Sequence, residues 1–166
     1  MNARVCIALA LSATLGACSR EPLSGPPEVR LGRERCAECG MLIGEERCSA
    51  ATLVERAGRR EHLNFDDVGC LLDFERGGDD RSIVSRFVRD HATTEWIDAE
   101  RALFLIAEPS AVRTPMGSGM IAFASQASAE RARGQHGGRV AGLAGVAEAR
   151  RVWAESMRPG SSGGFP

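Results

Sequence analysis

The stretch Cys48–Gly78, CSAATLVERAGRREHLNFDDVGCLLDFERGG, reads as a strand, a turn, a strand and a helix in succession. Cys48–Glu55 has the look of a strand, and Glu61–Phe65 of its return partner. Between them Ala57-Gly58-Arg59-Arg60 supplies the hairpin turn. Asp66 or Asp67 can cap the helix that follows, because a short acceptor side chain satisfies an orphan amide of the first turn. Val68, Leu71, Leu72 and Phe74 then recur at i, i+3 and i+4, the spacing of one helix face. Gly77-Gly78 ends it.

Outward from this unit, Ile83–Arg89 reads as a third strand, and Ala102–Ala107 (ALFLIA) as a buried one. The second half echoes the first. Met120–Phe123 is a strand, Ser125 caps a helix through Arg133, and Arg139–Leu143 is a further strand. Phe65 and Phe123 stand alike before their caps, and Gly77-Gly78 and Gly137-Gly138 close both units. The expected class is α+β: two related small ββαβ-type units, about 44–107 and 108–150, with mainly antiparallel sheets. The folded body spans 36–153. Before it, 18–35 holds Pro22, Gly25, Pro26, Pro27 and Gly32 and reads as a flexible tether. After it, 154–166 ends in RPGSSGGFP and reads as a disordered tail.

The 166 residues suit one modest domain, and 43% hydrophobic with 26% charged residues is the balance of a chain that folds. Aromatics are 5%, with no Tyr, and the net charge is −1. Both argue against a nucleic-acid surface. No apolar run reaches membrane-spanning length, which argues against an integral channel or transporter. All 21 basic residues are Arg. The chain therefore has neither a Schiff-base lysine nor a P-loop lysine. No Ser–His–Asp order, Gly-rich phosphate loop or HExxH occurs, and the expectation is a protein that is not an enzyme.

Residues 1–17 read as an address. Arg4 supplies positive charge, Val5–Leu15 is apolar, and Leu15-Gly16-Ala17-Cys18 resembles a bacterial lipobox. Cys18 would carry the lipid and become the new N-terminus. That places the chain in the cell envelope, facing the periplasm, and Ser19 is compatible with the outer membrane. Cys6 leaves with the signal, so Cys36, Cys39, Cys48 and Cys70 remain.

The densest chemistry is Cys36-Ala37-Glu38-Cys39-Gly40-Met41. Two thiols two residues apart can face one metal, and Gly40 permits a turn that swings the Met41 sulfur toward the same point. Thiolate plus thioether is a soft set that suits Cu(I). A zinc ribbon would want a second close Cys pair, whereas Cys48 and Cys70 are single and far apart. A thioredoxin-type dithiol would open a helix after a buried strand, whereas a Pro-rich segment precedes this one. A plain disulfide, Cys36–Cys39 or Cys48–Cys70, is the competing assignment. Thr114-Pro115-Met116-Gly117-Ser118-Gly119-Met120 puts a second methionine, Met116, on a Gly-rich loop, while Met120 opens an apolar run and belongs to the core. Asp66-Asp67 reads as cap rather than acid/base pair, and Cys70 as a core thiol. His62, His91 and His136 are scattered, and any one could complete a copper site.

Together these segments resemble the NosL family of copper-binding lipoproteins that accompany nitrous oxide reductase. The matching residues are Cys39-Gly40-Met41, Phe65-Asp66-Asp67-Val68-Gly69-Cys70, Trp96-Ile97-Asp98-Ala99, Thr114-Pro115-Met116-Gly117-Ser118-Gly119 and Ala122-Phe123. The resemblance implies a monomeric, lipid-anchored Cu(I) chaperone. Its partners would be apo nitrous oxide reductase and a membrane ABC-type maturation complex, with no nucleic acid. It implies Cys39 as the anchoring ligand, with Met116 and Met41. Cys36, which family members commonly lack, adds a possible Cys36/Cys39 thiolate pair. The alternative from another class is an envelope thiol–disulfide oxidoreductase using Cys36 and Cys39.

Overall fold

The computed structural model describes residues 21–78 and 81–157. The expected address segment 1–17, the expected lipidation site Cys18 and the end of the tail lie outside the described residues.

The first unit is built as its local signals dictate. Strand β1, Ala50–Arg56, pairs antiparallel with β2, Arg59–Phe65, in the register Ala50↔Phe65 through Arg56↔Arg59. The turn is the two residues Ala57-Gly58, both at positive φ (50° and 74°), which matches the twist of a two-residue hairpin. Helix α1, Val68–Gly77, starts at Asp67, whose side chain accepts from the Gly69 amide. Its apolar residues Val68, Leu71 and Leu72 are buried as the spacing requires. β3, Ser82–Arg89, returns beside β1, and β4, Trp96–Asp98, adds an edge, for a sheet order of β2-β1-β3-β4.

The second unit repeats the topology. β5, Leu103–Ile106, is the central strand of a sheet ordered β6-β5-β7. β6 is Met120–Phe123 and β7 is Arg139–Ala141. Between them runs α2, Gln126–His136, with Ser125 accepting from the Ser128 amide. In both units the first strand lies between the second and third and the helix links the outer two. Two ββαβ units are present, as the echo in the sequence suggests.

Three boundaries differ from the expectation. β5 pairs with β6 and β7, so the second unit begins at Leu103 and the division falls before it, not at 107/108. Sheet membership is a long-range property that a continuous apolar run does not reveal. A third helix, α3, Leu143–Ser156, packs against α1 and β5 and carries 154–156 beyond the expected end of the body. The tether is docked over much of its length. Gly25 O takes the His62 ring at 2.8 Å, Gly32 donates to Ile43 O at 2.8 Å, and Val29 packs on the core.

One core serves both units. Phe65, Leu71 and Val88 from the first meet Phe104, Met120 and Val146 from the second. Each such side chain contributes about 1.5–3 kcal/mol by leaving water. A second cluster, with Cys48, Leu105, Ile121, Phe123 and Ala129, lies under α2. Asp90, buried after β3, ties the sheets together, since its carboxylate accepts from the Ala92 and Ala124 amides at 2.8 and 3.0 Å.

Candidate metal centre

The loop Cys36–Met41 is shaped by its own backbone. Cys36 donates to Met41 O at 2.8 Å, and Gly40 donates to Cys36 O at 2.9 Å with φ +74°. An L side chain at that φ would be strained, which is why glycine follows Cys39. The Ala37 amide donates to Asn64 O, fastening the loop to the end of β2. The Gly44 amide donates to Asp66 at 3.0 Å and fastens its far end to the start of α1.

This docking brings the loop thiols to the first turn of α1, where Cys70 waits. The Sγ atoms of Cys36, Cys39 and Cys70 all lie within 4.8 Å of one another. Cys36 and Cys70 are buried, and Cys39 is partly exposed at the edge. None of the four described cysteines is in a disulfide. Cys48 stands apart in the second cluster, so the Cys48–Cys70 pairing is not formed. Burial pushes its thiol up to about 12, which makes it an inert core thiol.

The three clustered thiols are electrostatically unequal. Cys36 is held down at about 5, first by the hydrogen bond from Cys70, against the cost of burial, and with help from the amides of Cys39, Asp66 and Glu38. Cys70 is pushed up, chiefly by donating that hydrogen bond and then by burial. Burial raises Cys39, against the Met41 amide. The centre thus carries a ready thiolate inside and two protonated sulfurs around it.

Met116 comes to the same helix by another route. Thr114 Oγ1 accepts from the Ser118 amide at 2.9 Å, and Gly117 donates to Thr114 O at 3.0 Å, making a closed turn. Gly119 sits at φ +67°, where a Cβ would lie 2.2 Å from Ala107 O, so only glycine fits against β5. The Met116 amide donates to Asp67 Oδ2 at 3.2 Å. Asp67 is fully buried, and its backbone carbonyl accepts from the Cys70 amide at 3.0 Å. One aspartate therefore joins the Met116 loop to the turn that carries Cys70. Met116 is 37% exposed and Met41 55%, so neither side chain fills the core. Met120 is buried, in agreement with the sequence reading.

Cys36 and Cys39 are thus brought together, while Met41 and Met116 lie on loops hydrogen-bonded to the same elements. The member that sequence reasoning assigned only to the core is Cys70. Its signal was its place one turn beyond the Asp67 cap. Among the described residues no histidine joins the thiol group. His62 bonds Gly25 O, and His91 lies half-buried against Phe123 with its pKa lowered by burial.

Among curated proteins, none matches the chain significantly in sequence. Among solved structures, the copper chaperone NosL from Shewanella denitrificans is similar in fold, with a TM-score of 0.57 at 20% identity over 72% of this chain and 96% of that one. The NosL family model matches residues 30–150, which takes in both ββαβ units and the thiol centre, and the chain belongs to the NosL family.

Proposed function

We propose that the chain is a Cu(I) metallochaperone, anchored by lipid at Cys18 and facing the periplasm, with the outer membrane as its site. It delivers copper for maturation of nitrous oxide reductase, working with a membrane ABC-type complex, as a monomer. The observation that carries this reading is the convergence of three free thiols at one partly open point. Family membership supports it, and so does the fold shared with a copper chaperone.

The donor chemistry fits the cargo. Thiolate and thioether are soft ligands that favour Cu(I) over hard cations. Cys39, at the exposed edge, anchors the ion with Cys36. Met41 and Met116 add exchangeable thioethers that need no deprotonation. A partner's sulfur or imidazole adds at the rim before a donor ligand leaves, so copper passes on without being freed. The chain binds and transfers; it has no catalytic role in this reading.

The thiol–disulfide alternative draws on the low pKa of Cys36. That thiolate is the buried one, at 3% exposure, and burial restricts its access to a protein disulfide. Geometry therefore favours the carrier.

The test is anaerobic titration of the reduced chain with Cu(I) against a chromogenic chelator, alongside Cys39→Ser and Met116→Leu. One equivalent bound tightly, and more weakly in both variants, supports the reading. Failure of the parent to compete for Cu(I) overturns it. In cells, Cys18→Ala should release the protein from the membrane fraction, and Cys39→Ser should leave the reductase poor in copper.

A further inference from the structure

We infer that Cys70 is a third thiolate ligand, closing a buried three-sulfur site for Cu(I) with Cys36 and Cys39, while Met41 and Met116 form an outer ring used in exchange. This rests on the Cu(I) reading above and names a ligand which that reading does not contain.

The geometry carries it. A d10 ion with metal–sulfur bonds of about 2.3 Å places trigonal sulfurs about 4 Å apart. The three Sγ atoms already lie within 4.8 Å, so closing on a metal takes movements below about 1 Å. Two of the sulfurs ride on a loop tied at both ends, and the third on the first turn of a capped helix. The site is therefore largely formed before any metal arrives, which lowers the ordering cost of binding. A cysteine used only as filler would need no thiol neighbours, yet the Cys70 sulfur lies within 4.8 Å of the Cys36 and Cys39 sulfurs. Cys48 shows what filler looks like in this chain: a lone thiol among aliphatic and aromatic side chains.

Three sulfurs select the cargo. Structural zinc takes four ligands, and no fourth Cys, His, Asp or Glu joins the group among the described residues. Three thiolates suit Cu(I) or another thiophilic monovalent ion. As each protonated thiol bonds to the metal it releases its proton to water, and copper keeps its oxidation state throughout.

Burial sets the order of transfer. Cys36 and Cys70 are 3% and 4% exposed, and Cys39 lies at the edge. An incoming partner ligand meets the metal on the Cys39 side, the exposed edge of the three sulfurs. The copper–Cys39 bond breaks first, and the bonds to Cys36 and Cys70 break last.

The test compares the reduced full-length chain with Cys70→Ala, using Cys48→Ala as a buried-thiol control, by Cu(I) competition and copper X-ray absorption. Met41→Leu/Met116→Leu serves as the background that removes thioether sulfur. Three sulfurs in that background, falling to two on adding Cys70→Ala, with affinity reduced by at least about tenfold, is the expected result. Cys48→Ala should bind as the parent does. Unchanged affinity and sulfur count in Cys70→Ala, with a parent that binds Cu(I), overturns the Cys70 assignment and leaves the chaperone reading standing. A parent that binds no Cu(I) overturns both. If Cys70→Ala does not fold, the count in the thioether-free background decides: three sulfurs support the site, and two refute it.

Discussion

The Asp67 carboxylate accepts the backbone amide of Met116, 49 residues away, at 3.2 Å, while its other oxygen accepts the amide of Gly69. A single buried side chain thus caps α1 and latches the methionine loop. Asp67→Ser separates the two tasks, since serine caps about as well but is too short to reach Met116. The variant should lose about 1–3 kcal/mol in urea unfolding. Its Cu(I) affinity should fall to that of Met116→Leu, and the double variant should fall no further. Parental affinity in Asp67→Ser would show that the latch does not place the thioether.

The same contact requires a glycine inside α1. Replacing a helix glycine by alanine ordinarily gains stability, up to about 1 kcal/mol. At Gly69 the new Cβ would stand 2.8 Å from Ser118 Cβ and 2.9 Å from Asp67 Oδ1. Gly69→Ala should therefore destabilise, by about 1–3 kcal/mol, as overpacking does. A rise in melting temperature would mean that the loop moves aside freely.

Arg150 fixes α3 to α1. Its guanidinium meets both oxygens of Asp73, with the shortest bond at 2.6 Å, and lies 4.0 Å from the Trp153 ring centre. Both side chains of the pair are mostly buried, at 10% and 18% exposure. Arg150→Ala should cost about 3 kcal/mol by leaving Asp73 without this partner. Denaturant unfolding reads the loss. A change within about 0.5 kcal/mol would place this pair with ordinary surface ion pairs.

Acid should act on Cys36. Its pKa in the folded chain is about 5 against an ordinary 9.0, so its stabilising share is complete above 9.0 and is lost as pH falls through about 5. Cys70 is shifted upward by the same hydrogen bond, so its share is present below 9.0 and is lost at higher pH. The unfolding free-energy difference between parent and Cys36→Ser should therefore grow from pH 5 toward 9. Thiolate ultraviolet absorbance should persist at neutral pH in the parent, and Cys70→Ala should move its midpoint upward. A midpoint near 9 in the parent would remove the asymmetry between the two thiols.

Much of the fold was legible because its signals are local. The Asp67 and Ser125 caps, the Ala57-Gly58 turn and the burial of Val68, Leu71 and Leu72 each depend on residues within four positions. The sheet assignment of Leu103–Ile106 was not legible, since strand pairing is chosen by distant partners. Helix α3 was missed because Gly142 caps it without a side-chain hydrogen bond, so the usual Ser, Thr, Asp or Asn start signal is missing.

By itself the sequence determined the two ββαβ units, the Cys36/Cys39 pair beside a glycine-permitted turn, and the loop character of Met116. Those follow from periodicity, capping and backbone freedom, which act over a few residues. Tertiary structure alone decided that Cys70 meets the loop thiols, that Cys48 does not, and that Asp67 holds Met116. These relationships span 31 to 49 residues of chain, and they exist because one shared core folds α1, the Cys36 loop and the Met116 loop against each other. No local rule encodes that convergence; it is set by the packing of apolar side chains that themselves take no part in the site.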